Sequence, residues 1–511
     1  MAEGHTGDTG ERHMAARRLP ALAQYRTDAV TRRLCAGAHL DEDFARDVDV
    51  ELTADGLRAT GLSLGIDLVA LARHARAAVR RTDVRDRRLA WICAVGVWAA
   101  VPLLLYAMVT ARWGLAYAAA ALVVLAYGSA WWLVHQAESR SRTAALAVEH
   151  GADRPADLAP TVEPEAEQRL LETKRANVVP YTASAERTNP FVGSGSKLKE
   201  MVWQPIDVSR PAEDPAGNGG KLPVKPFDAV DLHTYVAREM EHIAGLKGLQ
   251  VRNRLYVMGT NVPYVGPELL PDRLRRPRAQ IPKQLVQAGL MQSGAGMRTY
   301  LSLVRAGEGG RAIVSMHLRA RLHHPSLTWE VSAYGIPPLQ ARFDRVNRLP
   351  LDGFERWWSL VSFATSRTGT ALLKASSRRM QRASEQRRRA RALEKVRREI
   401  DKRHALYDYG AVDSIRERVA DWEQLGFSER TDSQDFLQRL QQGVLIATER
   451  FLKDHNIDTS SYDQAQQVIN THTYTFQGSV QAGVIGDNGT VNHHNGPGAQ
   501  AGHSGQGRGT P

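Results

Sequence analysis

The sequence predicts a membrane α-helical hairpin joined to a cytoplasmic α+β domain with a mainly antiparallel sheet and a helical C-terminal region. Three observations predict it: two adjacent charge-free apolar runs, later segments in which apolar and polar residues alternate, and a basic stretch followed by an amphipathic one. Eight segments follow from these patterns. They are residues 1–25, 26–88, 89–135, 136–175, 176–377, 378–470, 471–494 and 495–511.

The hairpin prediction comes from residues 89–110 and 115–135, which contain no Asp, Glu, Lys or Arg. A bilayer core roughly 30 Å thick is crossed by about 20 apolar helical residues, and a helix satisfies its own backbone polar groups in lipid. Tryptophans lie near the ends of both runs, where an interfacial belt would place them. The sequence therefore predicts two spans; the alternative is a helix pair buried in a soluble core.

The charges that flank the two runs predict their orientation. Seven arginines lie between Arg73 and Arg88, whereas the short connection contains only Arg112. Lys and Arg favour the cytoplasmic side of a span, so both termini are expected in the cytoplasm, at the plasma membrane. Residues 1–30 contain no continuous apolar core of a signal peptide, so the first span is expected to direct insertion.

The segments next to the hairpin are predicted to be mainly helical. Residues 26–88 contain three helical pieces, and Asp41 and Asp67 are placed to cap the second and the third. Residues 136–175 are polar and contain proline, which is typical of a stalk followed by a linker. Residues 1–25 and 495–511 are rich in glycine and polar residues and are predicted to be disordered.

The main globular domain is predicted over residues 176–377. Strands are expected near 177–181, 199–208, 254–259, 312–320 and 327–335, and the last two alternate apolar with polar residues. Such alternation predicts an antiparallel sheet with one face buried. Helices are expected after Asp228 and over 354–366. This order of elements indicates an α+β domain rather than a doubly wound nucleotide fold.

The region 378–470 begins very basic and then becomes amphipathic. Between Arg378 and Arg403 cations greatly outnumber acids, and the later helix is expected to begin with a cap at Asp432 or Ser433. Because a tethered domain lies beside an anionic leaflet, arginines on both sides of the hairpin are predicted to contact the membrane surface. They are Arg80, Arg81, Arg87, Arg88, Arg387, Arg388 and Arg389. The alternatives are a solvated surface helix and nucleic-acid binding, and the second is disfavoured because no reading module is present.

No residue pattern predicts catalysis, a metal site or a cofactor. The glycine-rich segment 189–197 lacks the spacing of a phosphate-binding loop and is predicted to be a turn, with a ligand loop as the alternative. His323 and His324 are adjacent and would point to opposite sides of a strand. The two cysteines, Cys35 and Cys93, exclude a disulfide framework.

The tail, residues 471–494, alternates apolar with polar residues and then contains the turn sequence Asp487-Asn488-Gly489. An isolated hairpin is marginal in water, so this segment is expected to pair with another strand. Val480, Gln481 and Gly483, followed by Gly486 and Asn488, resemble the core of bacterial amyloid signalling motifs related to the homotypic interaction motif of necroptosis proteins. The resemblance implies a protein partner or self-association, and these residues, with Phe476 on the apolar side of the strand, are the predicted contacts. The alternative is a passive strand or one that pairs within its own chain.

A second resemblance extends over more of the chain. An actinobacterial family of two-span membrane proteins is resembled by TRRLCAGAHLDEDFARDV, by Arg85 and Asp86 before the hairpin, by NPFVGSG, and by YDYGAVDSIRE with FLKDHNIDTS. This resemblance implies the architecture and no particular activity. The function expected is therefore that of a two-pass membrane protein with a cytoplasmic interaction or signalling domain. A membrane-acting defence effector recruited through the tail and a membrane-tethered enzyme are the alternatives.

Overall fold

The structure is a computed structural model that describes residues 26–184, 189–214, 220–242, 246, 248–294, 296–460 and 462. The helices of these residues are α1 Ala29–Leu40, α2 Glu42–Thr53, α3 Leu68–Thr110, α4 Trp113–His150, α5 Pro164–Lys174, α6 Ala229–His242, α7 Val262–Val265, α8 Lys283–Met291, α9 Gly353–Arg403, α10 Ile415–Arg418 and α11 Phe427–Asp454. The strands are β1 Val178–Tyr181, β2 Ser196–Val202, β3 Ile206–Asp207, β4 Gln250–Met258, β5 Met297–Ala306, β6 Ile313–His323 and β7 Ser326–Ile336.

The apolar hairpin, residues 89–135, is part of two much longer helices. α3 has 43 residues and α4 has 38, and they are joined through Ala111, which adopts a left-handed conformation with φ of 54°. Both helices are long and apolar enough to cross a membrane, and only 11% and 17% of their most apolar stretches are buried. The two long apolar helices expected from the sequence are thus present.

The caps predicted in the N-terminal region are confirmed. The carboxylate of Asp41 accepts backbone N–H bonds from Asp43 and Phe44 at the start of α2. Asp67 accepts corresponding bonds from Val69 and Ala70 at the start of α3. These bonds satisfy N–H groups that have no partner inside the helix. The segment predicted as a stalk continues α4 to His150 and then contains a short 3₁₀ turn and α5.

The strands form one mixed sheet in the order β1-β4-β5-β6-β7-β2, and β3 also pairs with β7. Only the β1–β4 pair is parallel among the described strands. A mainly antiparallel sheet was predicted, and it is confirmed. The prediction missed β5 and α8, and it merged β2 and β3 into one strand.

The expectation of a sheet with one solvated face is wrong. One face packs on α6 and α11 in the largest apolar cluster of the described residues. The opposite face is also covered, so Ser315, His317 and Arg319 of β6 are all buried. These polar residues had indicated solvent exposure, but side chains and a loop from elsewhere in the chain cover them instead.

The helix predicted over 354–366 and the basic stretch after Arg378 are one helix of 51 residues, α9. It passes without interruption through residue 377, where the sequence analysis had placed a boundary. The cap predicted at Asp432 or Ser433 is wrong, because α11 begins at Phe427 with Gly426 before it. Residues 1–25, 471–494 and 495–511, for which disorder or a partner strand was predicted, lie outside the described residues.

The N-terminal helices pack against the end of the α+β domain. α1, α2 and the first turns of α3 share an apolar cluster with Phe343, Ile415 and Val419. Phe343 lies so close to α1 that a Cβ atom on Gly37 would be 2.6 Å from its ring. The parts of α3 and α4 outside the apolar runs are therefore integral to the folded domain and are not a flexible tether.

Candidate membrane-proximal site

α9 crosses the hairpin helices where their apolar runs end. Ala364 and Ala375 of α9 are buried in one cluster with Leu89 and Ala90 of α3 and with Ala130 and Val134 of α4. The Trp131 indole N–H donates a hydrogen bond to Thr365 Oγ1 at 3.1 Å. This crossing places one long helix across the base of the apolar hairpin.

Asp86 holds the crossing together electrostatically. Its side chain is fully buried, and Oδ2 accepts a hydrogen bond from Arg382 of α9 at 2.7 Å. Oδ1 accepts two bonds from Arg85, whose Nη1 also donates to Glu42 Oε1 at 2.6 Å. Burial raises the pKa of Glu42, but the charge and hydrogen bond of Arg85, together with the charges of Arg46 and Arg378, outweigh burial and lower that pKa. The four side chains join α2, α3 and α9 directly below the first apolar run.

A cleft of about 590 Å³ lies beside this network, between α2, α3 and α9. Six arginines and five acidic residues line it. Arg87 and Arg389 belong to the lining. Two arginines that were predicted to contact the membrane surface, one before and one after the hairpin in sequence, therefore lie in the same cleft. Such a mixture of charges can hold a zwitterionic or anionic headgroup through several charge-assisted hydrogen bonds.

The other predicted membrane-contact arginines fall into two groups. Arg80, Arg88, Arg387 and Arg388 are exposed on α3 and α9. Arg81 instead turns toward the protein, where Nη2 lies 2.6 Å from Nδ1 of the buried His39. Burial lowers the pKa of Arg81, followed in size by the charge of Arg140.

The glycine-rich segment 189–197 is a tight loop closed by the chain itself. Gly193 and Gly195 both have φ of 90°, and both backbone N–H groups donate to Glu417 Oε1 at 2.9 Å. A carboxylate thus occupies the paired donors that a phosphate would require. This geometry supports the predicted turn and not the alternative of a ligand-binding loop.

Beneath that loop lies a buried polar cluster that sequence reasoning missed. Ser194 Oγ is 2.9 Å from His317 Nε2, and Ser302 Oγ is 3.0 Å from His317 Nδ1. The Phe191 ring stacks on the imidazole with a centroid distance of 4.2 Å. Burial, with a smaller contribution from Arg254, lowers the pKa of His317 well below its usual value. The only sequence signal was that His317 lies on the polar side of an alternating strand.

The hydroxyl of Ser194 and the imidazole of His317 are paired as a nucleophile and its general base would be, but the cluster resembles such a pair in no other respect. Ser194 and His317 are both buried, and among the residues that the structure describes no carboxylate hydrogen-bonds to this imidazole. Among the described residues no group of His, Cys, Asp and Glu could hold a metal ion, and His323 and His324 are exposed. The predicted tail residues from Phe476 to Asn488 lie outside the described residues.

Fold and site together define a chain with two long, exposed, apolar helices attached to an α+β domain with a mixed sheet. Residues 202–492 match the AbeC-like domain family. This match covers more than half of the chain, and the chain belongs to that family. No curated protein and no solved structure matches the chain.

Proposed function

We propose that this protein is a two-pass plasma-membrane protein that holds an AbeC-like interaction or signalling domain on the cytoplasmic leaflet. The observation that carries the proposal is the exposure of the apolar hairpin. Only 11% of the most apolar stretch of α3 and 17% of that of α4 is buried. A soluble protein rarely exposes a contiguous apolar patch of more than a few hundred Å². Lipid is the environment in which this surface is stable.

The ion pairs of Asp86 with Arg85 and Arg382 form a clamp at Asp86. This clamp supports a fixed arrangement of the spans and the domain. α3 and α4 continue without a break from the apolar runs into the buried helical cluster. Arg382 then fastens α9 to the same level of α3. A domain attached in this way stays against the leaflet, where each exposed Lys or Arg gains roughly 1 kcal/mol from anionic lipid. The exposed cations Arg80, Arg88, Arg387 and Arg388 contribute to this attraction.

The tail is proposed to recruit a partner strand, either from a second copy or from another protein. The family match reaches residue 492 and so includes Phe476, Val480, Gln481, Gly483, Gly486 and Asn488. Uncharged β-prone sequences of this kind pair through backbone hydrogen bonds. The resemblance to amyloid signalling motifs favours signalling through this strand. If assembly of the tail also acts on the bilayer, the protein is a membrane-acting defence effector.

Topology is tested with one added cysteine in the full chain, after replacing the intramembrane Cys93 with alanine. The other native cysteine, Cys35, is fully buried and is retained. Arg112→Cys probes the connection between the spans, and Leu406→Cys probes the exposed segment after α9. In intact spheroplasts an impermeant maleimide is expected to label Arg112→Cys only, and Leu406→Cys is expected to need permeabilised cells. Labelling of Leu406→Cys from outside, or recovery of the chain in the soluble fraction, would refute the proposal.

The role of the tail is tested with the full chain in vesicles. Gln481→Ala is expected to abolish thioflavin-positive assembly and association between vesicles, whereas the neighbouring Ser479→Ala is expected to preserve both. Equal behaviour of the two variants contradicts a motif-specific strand. Leakage of vesicle contents that follows assembly would identify the effector form, and assembly without leakage would identify recruitment alone.

A further inference from the structure

The first turns of α9 carry a cluster of exposed aromatic residues. Phe354, Trp357 and Trp358 are 73%, 52% and 57% exposed. Their ring centroids lie 5.6 to 6.3 Å apart, so they form one continuous apolar surface. Such surfaces mark places where a protein or a membrane is bound.

Contacts with α4 show on which side of α9 this surface lies. Thr365 follows Trp358 by seven residues and Phe354 by eleven, about two and three turns of a helix with 3.6 residues per turn, so the three share one side. On that side, Thr365 contacts Trp131 within the second apolar run. The aromatic surface therefore lies on the same side of α9 as the contact with the second apolar run.

The opposite side of α9 contacts α4 farther from the apolar run. Arg356 precedes Thr365 by nine residues, about two and a half turns, and thus lies on the other side of the helix. Its Nη2 donates to Thr143 Oγ1 at 2.8 Å. Thr143 is twelve residues beyond Trp131, about 18 Å along α4 at 1.5 Å per residue. Glu138 and Arg140 lie between them, so this side faces the cytoplasm.

We infer that Phe354, Trp357 and Trp358 form an interfacial lipid-binding surface, which inserts into the headgroup region of the leaflet that the hairpin crosses. The inference rests on the proposed function, because the hairpin must be in the bilayer for α9 to lie at its surface. Tryptophan is favoured at this depth because its ring is apolar while the indole N–H stays hydrogen-bonded. Phenylalanine accompanies it on the apolar side of interfacial helices.

The rest of the helix has the composition that this arrangement requires. Arg356, Arg367 and Lys374 recur at intervals of eleven and seven residues and so lie on the side opposite the aromatic rings. Interfacial helices combine an apolar side bearing Trp and Phe with a cationic polar side. The bilayer is the occupant that this arrangement favours, because the aromatic surface lies on the same side of α9 as the contact between Thr365 and Trp131 of the second apolar run.

The experiment uses the full chain with Cys93→Ala in vesicles of phosphatidylcholine and phosphatidylglycerol. An environment-sensitive fluorophore is attached at Trp358→Cys, at Val124→Cys in the hairpin, or at Phe427→Cys on the first turn of α11. All three original side chains are exposed, so the substitutions leave the core intact. Quenching is measured with nitroxide lipids labelled near the headgroup or deep in the acyl chain, and with iodide in the water.

The label at Trp358→Cys is expected to be quenched several-fold more by the shallow nitroxide than by the deep one, and to be shielded from iodide. Val124→Cys should respond to the deep nitroxide, and Phe427→Cys to iodide alone. If Val124→Cys responds only to iodide, the hairpin is not inserted and the proposed function fails. If Val124→Cys is lipid-exposed while Trp358→Cys responds to iodide, the inference alone is overturned.

A further outcome distinguishes lipid from protein as the occupant. Shielding of the Trp358→Cys label from both iodide and nitroxide lipids would show that a second copy covers the surface, and this too would overturn the inference. Replacing Trp357 and Phe354 by serine in the Trp358→Cys chain is expected to restore iodide quenching. Matched replacement of the exposed Leu406 by serine is expected to leave the quenching unchanged.

Discussion

His39 and His74 share a buried hydrogen bond, with Nε2 of His39 2.9 Å from Nδ1 of His74. Arg81 Nη2 is 2.6 Å from His39 Nδ1, and His74 Nε2 is 2.8 Å from the carbonyl oxygen of Pro155. Because arginine only donates and a carbonyl only accepts, both imidazoles are neutral and each has one assigned proton. The chain of bonds ties α1 and α3 to the turn after α4 and contains no acceptor for another proton.

Acidification is expected to weaken this part of the fold. Burial lowers the pKa of His39 and of His74, and Arg81 lowers both further. Below about pH 6.5 the unfolded chain binds protons that the native chain does not, so the free energy of unfolding falls by up to about 1.4 kcal/mol per group per pH unit. The transition temperature of the full chain in detergent, measured from about pH 7.5 to about pH 5.5, is expected to decrease.

The matched variants separate this pair from other histidines. His39→Gln keeps an acceptor for Arg81 and a donor for His74 but does not titrate, so its decrease with acid is expected to be smaller. His242→Gln, at an exposed position, should follow the parent chain. The buried His233, whose pKa burial lowers to about 4, adds a decrease of the same sign to every curve. Identical curves for His39→Gln and the parent would disprove the assignment.

Loss of the clamp at Asp86 is expected to be severe. Asp86→Asn removes a fully buried charge that the partly buried Arg85 and Arg382 share. Removing one partner of a buried ion pair costs about 3 to 5 kcal/mol. The control is Glu394→Gln, which breaks the exposed pair with Arg398 and should cost less than about 0.5 kcal/mol. Thermal unfolding in detergent measures both, and a similar cost for the two variants would show that Asp86 does not fasten α9.

The sequence predicted best where one local property decides the structure. The hairpin follows from two runs without charges, and the caps at Asp41 and Asp67 follow from residues beside the helices they begin. β5 was missed because Thr299 and Ser302 are buried among apolar neighbours, so the strand shows no alternation. Apolar residues before residue 377 and basic ones after it suggested two segments, although helix formation continues through both.

A different reason explains why the sequence did not predict the polar cluster around His317. Ser194 and His317 are 123 residues apart, and only the folded sheet and the loop above it bring them together. Likewise, the meeting of Arg382 with Asp86 depends on the crossing of α9 over α3. Contacts of this kind depend on the tertiary arrangement, which periodicity within one segment does not contain.

Ser194→Ala is expected to reduce stability without removing a chemical activity. The substitution leaves His317 Nε2 buried and without its hydroxyl partner, which costs about 1 to 3 kcal/mol. Ser377→Ala, at an exposed position of α9, is the control and should be nearly neutral. A fluorophosphonate probe is expected not to label the native chain. Labelling that disappears in Ser194→Ala would show instead that this hydroxyl is an accessible nucleophile.

Two glycines are expected to respond to alanine in opposite directions. In Gly193→Ala the new Cβ would lie 2.0 Å from the Leu62 carbonyl oxygen, and φ of 90° is strained for any L side chain, so a loss of at least about 2 kcal/mol is expected. At Gly369, inside α9, such a Cβ would meet no atom within 4 Å beyond its chain neighbours and the nearby backbone of its own helix. Gly369→Ala should therefore raise stability by about 0.5 to 1 kcal/mol, because alanine loses less backbone freedom in a helix. Thermal unfolding of both variants checks the pair, and destabilisation by Gly369→Ala would contradict the continuous helix across the hairpin.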